Sequence, residues 1–360
     1  VYRLKTAVQS ALFLGGFYDV AAAIRQTPHD RLLVVMYHDI ADDSQRSPGP
    51  GGWVGRLTRA HFEAQVRAFT KWYRVLTVGR ALAEMNEPRG LHERTIAITF
   101  DDGYQSVYGN AFPILAQYGV AATIFPLTDW INGRMGLWWE TTYRMIVNTG
   151  ITSDHVREME RILGHDLPKA SDFDLREPES RKVINRRVEA LLRSETDQRR
   201  DELLSQLQTL LDPESGANTQ GPPALSWEQM REMAAAGFEF GCHTRSHVNL
   251  GSAPLEVAER ELTESKAELE SRIGAPIRGL AFPYGSHDSG YAHVEPLLKK
   301  LGFAYACTTF AGVNDQLTNR YALRRATLPC VASMSIIGRT LAVEFMDGHG
   351  NSSLPGDRRV

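Results

Sequence analysis

Short runs of apolar, β-branched or aromatic residues recur along the chain, separated by stretches with helical spacing. The runs are RLLVVMYH, YRVLTV, TIAITF, VAATIFPL, FEFGCH, IRGLAFPYG, FAYACTT and YALRRATLP. Strands that alternate with helices pair in parallel through crossover connections, so the pattern predicts an α/β sheet or barrel. The helix signals agree. Ser226 and Gln229 form a capping box ahead of EQMREMAAAG, and Gly237 stands where a left-handed residue ends a helix. Pro254 opens LEVAERELTESKAELESRIG, in which Val257, Leu262, Leu269 and Ile273 hold one face and Gly274 marks the stop.

Residues 138–222 differ in character. They are rich in charge and helix formers, lack strand runs and end in DPESGANTQGPP. They read as a helical insertion between two strands of a main domain spanning 31–345. Residues 1–30 read as a helical lead-in, too broken by Gln9, Gly15, Gly16 and Asp19 for a membrane span. Residues 346–360, polar and Gly-rich, read as a flexible tail. Because residue 1 is Val, a leader could precede it; the expectation is a cytoplasmic protein or one peripheral to the inner membrane.

A chain of 360 residues buries a full-sized core, and its formal net charge of −3 provides no global field for nucleic acid. The three cysteines, Cys242, Cys307 and Cys330, have no CxxC spacing and read as buried small hydrophobes.

The chemistry collects at the ends of the strand runs. Tyr37-His38-Asp39 follows LLVVM, Asp101-Asp102 follows AITF, Asp129 follows TIFPL, His243 follows FEFGC, and Pro283-Tyr284-Gly285 follows GLAF. In a parallel α/β barrel all such ends open on one face, where active sites are built. Adjacent carboxylates at the end of a core strand repel one another and are costly to desolvate, so a positive charge is expected nearby. His243 and His247, four apart in GCHTRSHVNL, together with one carboxylate make three protein ligands for Zn²⁺ or a similar ion with one position left open. One aspartate of the pair can then bind the ion while the other, pointing elsewhere by strand alternation, acts as a base. By the same alternation Cys242 faces away from His243.

Together these motifs resemble the polysaccharide deacetylase family, the NodB-homology domains of carbohydrate esterase family 4. TFDDGY is similar to its first motif, HTRSH to its His-x-x-x-His motif and FPYG to its Pro-Tyr motif, in that order, over about residues 31–330 apart from much of 138–222. The resemblance implies a distorted, TIM-like (β/α) barrel of about seven strands with a helical insertion. It implies Asp101 as catalytic base and Asp102, His243 and His247 as ligands of a divalent ion, Zn²⁺ first, with Ni, Co or Fe as alternatives. Pro283 and Tyr284 would contribute the oxyanion and substrate-binding turn, through the Tyr284 backbone N–H.

Many members also carry an Arg two residues before the Pro, oriented to the catalytic aspartate. Here Ala281 holds that position and Arg278 is out of register. A late Leu-x-His is missing too. The subgroup typified by poly-N-acetylglucosamine deacetylases shares both traits and has a strand ending in Tyr-His, which MYHDI resembles; that implies His38 as the acid for the leaving amine, with His287 as its rival.

The activity implied is metal-dependent removal of N-acetyl groups from N-acetylhexosamine residues of a bacterial-type surface polysaccharide or its precursor. The alternatives are a polysaccharide O-acetyl esterase and a non-catalytic glycan-binding protein of the same fold. Trp138 and Trp139, in GLWWE, are candidates to line a sugar subsite by stacking, or to pack in the core of the insertion. The partner expected is an N-acetylated glycan, with no nucleic acid and no transmembrane span, peripheral membrane association remaining open.

Overall fold

The structure, a computed structural model, describes residues 30–43, 57–212, 221–286, 290–330, 336–338 and 340–342. The lead-in, the tail and His287 lie outside the described residues. The described residues fall into two compact units, one built from those in 30–43, 57–131 and 225–342, the other from those in 132–212 and 221–224.

Among its described residues the first unit holds nine short strands: β1 Leu32–Tyr37, β2 Ile40–Ala41, β3 Leu57–Thr58, β4 Arg74–Leu76, β5 Thr95–Asp102, β6 Thr123–Pro126, β7 Glu239–Phe240, β8 Gly279–Ala281 and β9 Tyr305–Cys307. All the ladders are parallel. β1, β5, β6 and β7 are neighbours in that order, β4 pairs with the first half of β5, and β2–β3 and β8–β9 form separate pairs. β1 and β5 pair along their length, from Leu32 opposite Thr95 to Tyr37 opposite Phe100.

Single bridges join these pieces. Cys242 pairs with Leu280, Cys307 with Leu323 and Val35 with Ala326, each in parallel. YALRRATLP thus forms no strand of its own, yet it touches β9 on one side and β1 on the other. Both faces of β1 and β5 are buried, as continuous apolar runs require. One face meets in a core of Leu32, Val34, Ala97, Phe125, Ala281, Tyr305, Cys307 and Leu323, drawn from five strands and the 321–326 segment. Each such aliphatic or aromatic side chain contributes about 1.5–3 kcal/mol on burial.

The expected helix signals are realised. Ser226 caps Trp227–Ala235 through Gln229 in a reciprocal box, and Gly237 has φ +92°. The helix Leu255–Ile273 follows Pro254 and ends at a left-handed Gly274. Its buried face differs from the apolar spacing: Ala258, Glu261, Leu262, Ser265 and Leu269 are buried, whereas Val257 and Ile273 are only partly so. Two polar residues lie on the inner face because they have work to do there, described below.

The second unit contains no strand among its described residues. Its main helices are Trp138–Tyr143, Ser153–Leu163, Pro178–Ser194 and Asp197–Leu211. Met145, Ile146, Met159, Ile184, Val188 and Leu207 are fully buried in it. Buried Arg181 donates to the carbonyls of Val147, Leu175 and Arg176, satisfying groups that the irregular segment would otherwise strand. Trp138 is buried with the Arg200 guanidinium 5.5 Å from its ring, and Trp139, partly buried, meets it edge-on.

Of the cysteines, Cys242 and Cys307 are buried but Cys330 is only partly so, a correction to the uniform reading of the three.

Candidate metal and catalytic site

β5 carries Asp101 and Asp102 into the protein interior, 2% and 3% exposed. Simple strand alternation does not set their directions, because Asp102 has left the strand conformation. Its φ is +68°, and Gly103 follows at +96°. A Cβ on Gly103 would lie 2.9 Å from that of Pro126, so the chain turns at a residue only glycine fits.

The positive charge expected beside the pair is Arg325. Its Nη1 donates to Asp101 Oδ1 at 2.7 Å and its Nε to the Thr308 carbonyl at 2.8 Å, all of it buried. Burial pushes the Asp101 carboxyl upward, but Arg325, with His243 and His38 behind it, outweighs that and holds it below its ordinary range. Asp101 is therefore ionised at neutral pH. Arg325 comes from YALRRATLP, and neither position weighed from the sequence, Ala281 or Arg278, supplies this contact. The signal available was a pair of arginines inside an otherwise apolar run.

His243 follows β7 through Gly241 and Cys242. A Cβ on Gly241 would stand 2.4 Å from the Phe125 ring and 2.9 Å from the Gly279 carbonyl, so glycine lets three strands close up here. A carbonyl only accepts, so His243 Nδ1 donates its proton to Ala281 O at 2.8 Å. That leaves Nε2 as the lone-pair nitrogen. It lies 3.3 Å from Asp102 Oδ1, and His247 Nε2 lies 3.8 Å from the same oxygen.

Asp102, His243 and His247 thus offer three ligand atoms within 4.8 Å of one another, all buried. Asp102 Oδ1 makes no hydrogen bond of ordinary geometry although it is buried and faces both rings. A carboxylate oxygen and imidazole lone pairs repel unless a proton or a cation stands between them. Burial raises the Asp102 carboxyl, yet the three histidines around it, His243, His38 and His247, bring it down to about 2. Burial lowers the His243 imidazole, yet Asp102 and Asp101 outweigh that and hold it above its usual value. The donor set, one carboxylate and two imidazoles, fits Zn²⁺ or a similar divalent ion. Cys242 is not part of the group, and burial raises its thiol to about 11.

His38 is exposed and lies one residue past the Tyr37–Phe100 pair, which brings it level with Asp101. It is among the groups that lower both aspartate carboxyls. The turn that carries it is pinned: Ile40 N donates to Ser106 Oγ, which donates to Asp39 Oδ1 at 2.6 Å, and Asn110 donates to Ile40 O. In the Pro283-Tyr284-Gly285 turn, Tyr284 has φ +64° and Gly285 N donates to Pro283 O at 2.7 Å. The Tyr284 ring meets the His247 ring edge-on, 4.6 Å between centroids. Asp129 is not in the ligand group; it pairs with Arg245, in the loop between His243 and His247, at 3.1 Å.

Among the described residues, the four non-glycine residues with positive φ are Asp102, Thr244, His247 and Tyr284. Such conformations cost about 1–3 kcal/mol each and persist where the surroundings over-determine them. All four belong to this one site.

A parallel α/β sheet with a buried carboxylate-diimidazole group at its strand ends defines a candidate metallohydrolase. The chain belongs to the polysaccharide deacetylase family: the family model described as "Polysaccharide deacetylase" matches residues 89–167 and 203–306, just over half of it. The chain is similar to YxkH of Bacillus subtilis (strain 168), 32% identical over 112 residues, 30% of this chain and 36% of that protein. It is also similar to the poly-beta-1,6-N-acetyl-D-glucosamine N-deacetylase of Escherichia coli (strain K12), 25% identical over 105 residues, 29% of this chain and 15% of that one. The matches therefore span about a third or less of these relatives. The fold resembles that of the Streptococcus pyogenes deacetylase PplD in complex with acetate, with a TM-score of 0.54 and 16% identity over 86% of this chain and 97% of the other.

Proposed function

We propose that the protein is a metal-dependent hydrolase that removes N-acetyl groups from N-acetylhexosamine residues of a surface polysaccharide or its precursor. The observation that carries this is the buried Asp102, His243 and His247 group with Asp101, held ionised by Arg325, beside it. The relative named as an N-deacetylase of poly-beta-1,6-N-acetyl-D-glucosamine supports an amide of an N-acetylated glycan as the substrate class.

Asp102, His243 and His247 would hold the ion, Zn²⁺ by preference and Ni, Co or Fe as alternatives. When bound, such an ion makes a water more acidic and polarises an acyl oxygen. Asp101 takes the proton from the attacking water. Its lowered pKa makes it a weak base but keeps it deprotonated, which suits a water already made acidic. The Tyr284 N–H donates to the oxyanion of the tetrahedral state. His38, on the open side, gives a proton to the leaving amine, the step that an amide needs more than an ester does. Pro283 fixes the turn that presents Tyr284.

The same reading takes the strands as a distorted barrel, closed by the bridges at Cys242–Leu280, Cys307–Leu323 and Val35–Ala326, with the helical unit inserted in one of its loops. Among the described residues no helix is long and apolar enough to cross a membrane; a cytoplasmic location and a peripheral one at the inner membrane both remain proposals.

Acetate release by the Zn²⁺-loaded protein from N-acetylglucosamine oligomers and from an O-acetylated glycan, alongside Asp101→Asn, tests the proposal. Release from the amide that vanishes in the variant is the expected result. Turnover of the ester alone would reassign the protein as an esterase. Metal binding without turnover of either would point to a glycan-binding protein.

A further inference from the structure

The loop from His243 to His247 contains two left-handed non-glycine residues, Thr244 and His247, both at φ near +65° (68° and 64°). Such a loop cannot satisfy its own amides by helix or ladder bonds, so its buried polar groups need partners from outside. Helix Leu255–Ile273 supplies most of them. Glu261 Oε2 accepts the backbone N–H of Arg245 at 2.9 Å and of Ser246 at 3.1 Å, and its Oε1 accepts from Ser246 Oγ at 3.1 Å. Ser265 Oγ donates to Thr244 O at 3.1 Å. From the other side Asp129 N donates to Arg245 O, and within the loop His247 N donates to Thr244 Oγ1. Arg245 itself reaches outward to Asp129 and Glu264.

Glu261 is 8% exposed, and one carboxylate engages two consecutive N–H groups at the crest of the loop, midway between the two imidazoles. Fixing those two peptides fixes where His243 ends and where His247 begins. We propose that Glu261 is a positioning residue of the metal site, which sets the separation of the His243 and His247 ligand nitrogens without touching ion or substrate. The inference rests on Asp102, His243 and His247 being metal ligands.

The role depends on reach and on acceptor geometry, not on charge. In Glu261→Asp the carboxylate keeps its charge but withdraws by about 1.5 Å, one C–C bond, and loses both amides. In Glu261→Gln the side-chain carbonyl can take both N–H groups while the amide donates to Ser246 Oγ, so the geometry is kept and the charge is lost. Titration of the metal-free proteins with Co²⁺, followed by visible absorption, reads the site directly, and thermal melting of the metal-free forms reads the fold. The expected result is a Co²⁺ dissociation constant raised about tenfold in Glu261→Asp, the usual scale for a lost outer-shell partner, and close to wild type in Glu261→Gln. Glu261→Asp binding like wild type would overturn the proposal, even with a lowered melting point, because the residue would then serve the fold alone. Equal weakening in both variants would overturn it in favour of a charge effect. Wild type and His243→Ala both failing to bind Co²⁺ would bring down the metal reading itself, and this inference with it.

Discussion

The two ends of the same sheet handle their carboxylates in opposite ways, one partly buried and the others buried. At the strand starts, Glu239 of β7 has a donor for each oxygen: Tyr305 Oη at 2.7 Å to one, and Gly79 N at 2.8 Å and Thr123 Oγ1 at 3.0 Å to the other. Its neighbours have ordinary backbone conformations. At the strand finishes, Asp101 has Arg325, but Asp102 faces two imidazoles with an oxygen that no hydrogen bond satisfies, and the backbone there bends into left-handed conformations at four residues. A carboxylate surrounded by neutral donors ties α and β elements together. One set opposite two imidazoles on a strained frame is an arrangement that a cation would complete, so the first reads as serving the fold and the second as serving the proposed chemistry.

The contrast can be broken most forcefully by taking the cation away. Exhaustive chelation should reduce acetate release to background and leave the far-ultraviolet circular dichroism of the sheet unchanged, with Zn²⁺ restoring turnover. Asp101→Asn comes next: a loss of roughly 10²–10⁴ in kcat, with metal content per chain unaltered, is the expectation for a missing general base.

Arg325→Met should be felt at both levels. Leaving Asp101 buried without its partner costs about 3–5 kcal/mol, visible in the denaturation midpoint. The sign of the pH effect also reverses. In the native protein the Asp101 pKa is depressed, so its contribution is present at neutral pH and lost as pH falls through the folded value. Without Arg325, burial is expected to outweigh the remaining pull of His243 and His38 and push that pKa above its unfolded value, so the ionised group destabilises at neutral pH and mild acid restores stability. The acid limb of the activity profile should then move to higher pH. The smallest effect belongs to the other end of the sheet. Tyr305→Phe removes one donor from Glu239 and should cost about 1–3 kcal/mol of stability, while acetate release measured well below the melting point stays at the wild-type rate.

Whatever in this site is local in sequence could be read from sequence. Asp101 and Asp102 stand beside an unbroken apolar strand, and His243 and His247 share one loop, so spacing alone identifies them as candidates, and the structure brings Asp102, His243 and His247 together. Arg325 was not legible, because its partner is 224 residues away and its segment makes isolated bridges instead of a strand. Glu261 was hidden differently. It is one of six glutamates in LEVAERELTESKAELESRI, and nothing in their spacing separates the one that is buried from the other five. Strand alternation, sound for β5 as far as Asp101, fails at Asp102, where the chain turns left-handed and the rule no longer applies.

The bridge between Val35 and Ala326 joins the first described strand to a segment nearly three hundred residues later. During synthesis β1 and β5 can pair early, and Asp101 and Asp102 then sit in a half-built sheet whose counter-charge has not yet been made. A contact of such sequence separation is slow to form, because a long loop must close before it gives any return. On the ribosome, where the N-terminal part appears first, the aspartates would wait in solvent until Arg325 emerges. Completion of the fold and pairing of Asp101 with its counter-charge are thus one event, and a nascent chain halted before residue 325 would carry Asp102, His243 and His247 but an Asp101 without its partner.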